Sequence, residues 1–207
     1  MKKKKRRRIK KSGIVLIIII IVFIFFIGNK LLFSDNEVDK IKTSDSILEY
    51  DYTLNNNETK YYNKLFKELK EELSKEKIDE EEYAKLISKL FVTDFFTLDN
   101  KTDKNDIGGI QFVYADFQSD FKKLAKDSIY KNIENNMYND RKQELPIVID
   151  TEVLSVEKTD YEYLDNKDDN AYEVNILIKY KKDLKYQKEC NLIVVHSNNK
   201  LEIVKMY

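Results

Sequence analysis

From Ile14 to Ile27 every residue is apolar, and nothing else in the chain limits its possible folds so strongly. With Gly28, Leu31, Leu32 and Phe33 the run reaches about 20 residues, the length an α-helix needs to cross a bilayer. Lys30 stands near its far end, where a lysine can reach the interface. Before it, Lys2 to Lys11 carry nine Lys and Arg and no acid. That arrangement keeps the N-terminus in the cytoplasm and sends the following chain outside. A cleaved signal peptide needs small residues at its cleavage site, and Gly28-Asn29-Lys30-Leu31-Leu32-Phe33 supplies no such pattern. Beside a span, the basic run reads as a topology signal and a contact for anionic lipid, so nucleic acid is not an expected partner. The expected organisation is a basic cytoplasmic tail at 1–12, a transmembrane helix at 13–33, a linker at 34–59 and an extracytoplasmic domain at 60–207.

The formal net charge of the 207 residues is zero, which conceals an asymmetry. With the nine basic residues of the tail set aside, 28 Lys and Arg face 37 Asp and Glu, a net −9. Cys190 is the single cysteine and His196 the single histidine. An internal disulfide, a cysteine-based metal site, a zinc site of clustered histidines and a c-type haem attachment are thereby excluded.

Beyond the linker the pattern is helical at first. Tyr61, Leu65, Leu69 and Leu73 recur at steps of four within an amphipathic segment, Lys60 to Lys75. Asp79 as N-cap, Glu82 three residues on, and Ile78 with Tyr83 as a staple predict a helix from about Glu80 to about Phe96. Val113, Phe117, Phe121, Leu124, Ile129, Ile133 and Met137 predict a third, from Ile110 to Met137, with this stripe in the core. From Pro146 the period changes to two. Tyr172, Val174, Ile176, Ile178 and Tyr180 share one face, as do Tyr186, Cys190, Leu192 and Val194 on the next strand. Thr159 to Asn170 reads as a longer acidic hairpin loop, and Ser197-Asn198-Asn199-Lys200 as a tight hairpin turn. The fold class expected is α+β, helices followed by a curved antiparallel sheet, with enough chain for one sizeable core.

The loop Thr97 to Val113 is the one candidate site that sequence singles out, through Asp99, Asp103, Asp106, Gly108 and Gly109. Counted from Asp103 as an EF-hand, Asn105 and Gly108 fit positions three and six, but Ile107 stands at five and Tyr114 at twelve. Gly108-Gly109 has neither the spacing nor the lysine of a P-loop. A structural corner follows, with no metal and no cofactor expected, in which the glycines provide unusual dihedrals or close packing. His196 is expected at a solvent-exposed hairpin edge, and Cys190 as a small buried apolar residue.

The stretch "DFFTLDNKTDKNDIGGIQFV" followed by "FKKLAKDSIYKNIENN" resembles a group of uncharacterised single-pass membrane proteins of clostridia and related Gram-positive bacteria. That resemblance implies an anchored extracytoplasmic domain and brings no activity or site residues. The order of elements is similar to the nuclear transport factor 2-like cone fold, whose membrane-anchored forms serve conjugation and type IV secretion machines. The functional expectation is a non-enzymatic binding or assembly domain with membrane lipid at its N-terminal segment and a protein partner or a second copy at its sheet. The alternative is a small-molecule binder or acid–base enzyme using a pocket in the cone, with Asp94, Asp99, Asp106 or Asp116 as its carboxylate.

Overall fold

The computed structural model describes residues 43–207. The basic tail, the apolar run and the first part of the expected linker lie outside them. Among the described residues no helix is long and apolar enough to cross a membrane.

Part of the expected linker is folded. Strands β1 (Thr43–Ile47) and β2 (Tyr52–Asn55) form an antiparallel hairpin closed by a short 3-10 turn. Its Tyr50, Tyr52 and Leu54 are buried in the main core, so the structured domain begins well before residue 60. Poor periodicity concealed this, because strands of five and four residues are too short to show an alternation.

Helix α1 (Lys60–Leu73) starts where the Thr59 hydroxyl accepts the Tyr62 amide at 3.1 Å. Helix α2 (Glu80–Phe96) has the bounds its sequence predicts, and Asp79 accepts the amides of Glu81 and Glu82 at 3.1 and 3.2 Å. The turn between them is fixed by buried Glu72, whose carboxylate accepts the Asp79 amide at 2.9 Å and pairs with Lys75. Its four-residue spacing buries Tyr62, Leu65, Phe66, Leu69 and Leu73 of α1. Helix α2 is buried on nearly every side from Tyr83 onward and serves as the central pillar.

The expected third helix is broken. Its span holds 3-10 turns at Ile110–Phe112 and Ala115–Phe117, then a short helix α3 (Gln118–Asp127). Val113 is extended and bridges Ile203, which no helix running through it could do. Ser128 ends α3 by returning its hydroxyl to the Leu124 carbonyl at 2.6 Å. Of the predicted stripe, Val113 and Ile133 are buried and Phe117, Phe121 and Ile129 partly so, whereas Leu124 and Met137 point outward. Helical spacing had placed both in the core, but Leu124 lies on the outward face of α3 and Met137 beyond its end.

The sheet is antiparallel in the order β3 (Val148–Tyr163), β4 (Asn166–Tyr180), β5 (Glu189–Ser197), β6 (Lys200–Met206). The long acidic loop expected at Thr159–Asn170 is instead paired strand, turning only at Leu164-Asp165, where Leu164 has φ 50°. Charged residues on both faces had hidden its alternation. Three register irregularities in β3 strengthen its coiling. One face carries Tyr172, Val174, Ile176, Ile178, Cys190, Leu192 and Val194 into the main core. The other holds a small cluster of Ala171, Ile193 and Val195 under Tyr161, Tyr163 and Val204. The Asn198 turn has φ 54°, as its residue type predicts.

Hydroxyl groups occupy both outer edges of the sheet. Tyr83 accepts the Leu201 amide at 3.3 Å, and Tyr52 donates to the Leu201 carbonyl at 3.2 Å. On β3, Tyr61 accepts the Thr151 amide at 2.9 Å and Thr97 the Val148 amide at 3.1 Å. Exposed edge groups are templates for unwanted pairing, and these bonds remove several of them.

Candidate functional site

Helix α2 bears two different surfaces near its C-terminal end. Asp94 meets the acidic loop on one, and Phe91 with Phe95 line a cleft on the other.

The loop is organised around an internal ammonium group. Lys101 is almost fully buried and pairs with Asp94, which is nearly as enclosed. The second carboxylate oxygen of Asp94 accepts the Gly109 amide at 2.6 Å. Burial pulls the pKa of Lys101 down, but Asp94 beside it, with Tyr130 and Glu58 nearby, outweighs this and holds it above the ordinary lysine range. Tyr130 completes the frame, accepting the Gly108 amide at 3.1 Å and donating to the Phe95 carbonyl at 2.7 Å. Glu58, half-buried at the entry to α1, takes a 3.3 Å hydrogen bond from Asn100. Its pKa is pushed up to about 7 by burial first, then by Asp94 and Asp106, against the opposing pull of Lys101.

The residues singled out from sequence have separate tasks here. The Asp103 carboxylate accepts the Asn105 amide at 2.6 Å, and that of Asp106 accepts the Thr102 amide at 2.9 Å. The Asp99 side chain is exposed, and its carbonyl takes a 2.6 Å bond from Arg141. A Cβ on Gly108 would lie within 2.7 Å of the Asp94 carbonyl carbon, so this position is set by close approach. Positive φ belongs to Gly109, at 77°, where a Cβ would also meet the Phe91 ring at 2.7 Å. Among the acid–base candidates, Asp94 and Asp106 join the Glu58–Lys101 cluster while Asp99 and Asp116 stay at the surface. Among the described residues no three His, Cys, Asp or Glu side chains are placed to hold a metal ion. Lys101 was the missed member of the site. One lysine among many carries no signal until the fold encloses it.

The cleft beside α2 has a volume of about 400 Å³. Phe91, Phe95, Phe117, Phe121, Ile203 and Met206 form its walls, between α3 and the edge strand β6. The rings of Phe91, Phe95 and Phe121 lie 5.1 to 5.7 Å apart by centroid. Asp120 stands at the mouth with Leu124, which is 69% exposed, whereas the Lys205 ammonium turns away over the Tyr207 ring, 4.7 Å from its centroid. The Ser128 hydroxyl is already committed to the Leu124 carbonyl, so the walls present a mainly apolar surface.

His196 departs from its expected exposure. Its side chain is half-buried, with Nδ1 2.8 Å from the Asp168 carboxylate and Nε2 3.7 Å from that of Glu80. Burial works against the charge on Asp168, but the amides of His196 and Asn170 and the His196 ring outweigh it and hold the carboxyl below its usual range. Among the described residues, no hydroxyl or thiol hydrogen-bonds to Nε2, and the group acts as a strut joining β4, β5 and the start of α2. Reading residues 159–170 as a loop concealed Asp168 as a strand neighbour. Cys190 is buried as expected, and burial, with a smaller contribution from Glu189, pushes its thiol up to about 12.

No family model, curated protein or solved structure matches the chain.

Proposed function

We propose that the chain is a non-enzymatic, membrane-anchored domain that binds a protein partner outside the cytoplasmic membrane, as an assembly component of an envelope complex of the conjugation or secretion type. The apolar run and basic tail fix it to membrane lipid. Helices laid against a coiled antiparallel sheet are in keeping with the cone architecture of such components. The observation that carries the binding role is the cleft between α3 and β6, an open apolar surface with the Asp120 carboxylate at its mouth. The polar atoms of the nearby Asp94–Lys101 cluster are engaged with one another and with backbone amides, as in a structural frame. A small amphiphile is the second reading, favoured by a volume within the ~300–1,000 Å³ range of ligand pockets.

A photoreactive residue at Leu124, in the full chain in membranes, tests the proposal. A protein adduct from Leu124, absent from a control at exposed Glu157 on β3, is the expected result. An adduct with lipid or small molecules alone would favour the second reading, and no adduct from either position would refute a binding cleft.

A further inference from the structure

The loop Glu134–Arg141 holds two large apolar side chains out in solvent. Met137 is 63% and Tyr138 82% exposed. The loop is braced beneath them. The Asn136 amide donates to the Thr102 carbonyl at 2.7 Å, and the Asn139 amide to the Asn136 carbonyl at 3.0 Å. Asn135 accepts the Met137 amide at 2.9 Å, and Asn136 the Arg141 amide at 3.1 Å. The Arg141 guanidinium binds the carbonyls of Lys101 at 2.9 Å, Glu134 at 3.2 Å and Asp99 at 2.6 Å. Asn139 takes φ 55° to close the turn. A tip ordered in advance loses little entropy when it is covered.

The tip stands at the end of the domain where the chain enters. Thr43, the first described residue, pairs with Asn55, shortly before α1 begins. Asn57 and Asn100 then donate to each other's carbonyls at 3.4 and 3.2 Å, joining the entry of α1 to the loop that follows α2. Thr102 in that loop holds Asn136, and Tyr130, before the tip, donates to the Phe95 carbonyl in the last turn of α2. Entry point and tip therefore share the end where α1 starts and α2 stops. The apolar run closes at Phe33, and only residues 34–42 separate it from Thr43. Even fully extended, that stretch keeps Thr43 within about 35 Å of the end of the run, since a residue spans at most ~3.6 Å.

This short tether selects the occupant. Met137 and Tyr138 form too small a patch to bring a free protein to a bilayer, but a tethered one has lipid at a high local concentration. Tyrosine suits the headgroup boundary, where its ring meets acyl chain and its hydroxyl stays wet. The flanking charges are of both signs, Lys131 and Lys142 with Glu134 and Asp140, all exposed. The contact is therefore apolar insertion and not attraction to anionic lipid.

We propose that the Met137–Tyr138 tip dips into the outer surface of the membrane that anchors the chain, giving the domain a second, shallow contact with lipid. This rests on the anchored reading of the apolar run. It turns the end bearing the acidic loop toward the bilayer.

The chain has no tryptophan, so Tyr138→Trp places a single fluorescent reporter at the tip. The full-length variant is reconstituted into phosphatidylcholine vesicles with or without bromine on the acyl chains. Both leaflets carry the quencher, so the orientation of the chain does not affect the result. The tip reporter should emit with a blue shift and lose most of its emission to bromines near the glycerol backbone. Bromines near the bilayer centre should quench it less, and phosphatidylglycerol should not be required. Leu154→Trp on β3, 48% exposed, should be unquenched. Adding Met137→Asp should restore the emission of the tip reporter. A chain that floats with the vesicles but whose tip reporter is unquenched, or quenched no more than the β3 control, would overturn the lipid contact and leave the anchor standing. A blue shift without quenching would place a second copy over the tip and overturn it as well. A chain that does not float with the vesicles would overturn anchor and lipid contact together.

Discussion

Replacing Lys101 by methionine removes the one cation from the centre of the acidic loop and preserves most of its volume. Asp94 is then left buried with a single hydrogen bond, from the Gly109 amide at 2.6 Å, and with Glu58 and Asp106 still nearby. At an effective dielectric of ~20, an ion pair in contact is worth about 4 kcal/mol or more, and stranding one member of a buried pair costs about 3–5 kcal/mol. At about 2–4 °C per kcal/mol for a domain of this size, Lys101→Met should lower the Tm by roughly 6–20 °C. Circular dichroism melts and urea titrations of the full chain in detergent measure this directly. Adding Asp94→Asn should recover part of the loss, because a neutral amide can still accept from Gly109 without stranding a charge. The coupling between the two positions should exceed about 1 kcal/mol in a double-mutant cycle. A Lys101→Met variant within about 1 kcal/mol of the parent, or purely additive variants, would refute the internal-ammonium account of this loop.

Gly108→Val should destabilise by about 1–3 kcal/mol through overpacking against Asp94, and Gly109→Ala by a similar ~1–3 kcal/mol through its positive φ, both read from urea titrations. Asp103→Ala should stay within about 1 kcal/mol, and millimolar Ca²⁺ should leave the Tm unmoved; a Ca²⁺-dependent rise abolished by Asp103→Ala would make the loop a metal site. Glu58 has a folded-state pKa near 7 against an ordinary 4.5, so the folded form binds its proton more tightly. Its stabilising contribution is complete below about pH 4.5 and is lost as pH rises through 7. Glu58→Gln should therefore raise stability at pH 8 relative to pH 5, on the order of 1–2 kcal/mol once solvent screening at this half-buried site is allowed for, in urea titrations at the two pH values.

Where one local pattern determines an element, the element was legible from sequence. Asp79 with the apolar spacing beyond it marks the extent of α2. The Asn198-Asn199 turn and the alternation of β4 from Tyr172 to Tyr180 are as clear. Legibility fails where tertiary contacts override a local preference. The spacing from Ile110 to Met137 is helical, but pairing of Val113 with Ile203 and burial of Tyr130 against the Phe95 carbonyl divide it. Residues 159–170 pair as strands despite charges on both faces, because the backbone ladder and the edge-to-face contact of Tyr163 with Tyr114 stabilise them there. The site shows the same division. Gly108 and Gly109 signal a tight corner by residue type alone. Which lysine enters that corner, and which carboxylate faces His196, depends on neighbours far away in sequence.

Labelling of intact cells with a membrane-impermeant maleimide tests the central claim most directly, using Glu157→Cys in the full chain. Glu157 is exposed on β3, and the thiol of buried Cys190 should contribute little background. An anchored domain standing outside the membrane predicts full labelling without permeabilisation, on protein that stays in the membrane fraction after alkaline carbonate. Labelling only after permeabilisation, or release of the labelled chain by carbonate, would contradict it.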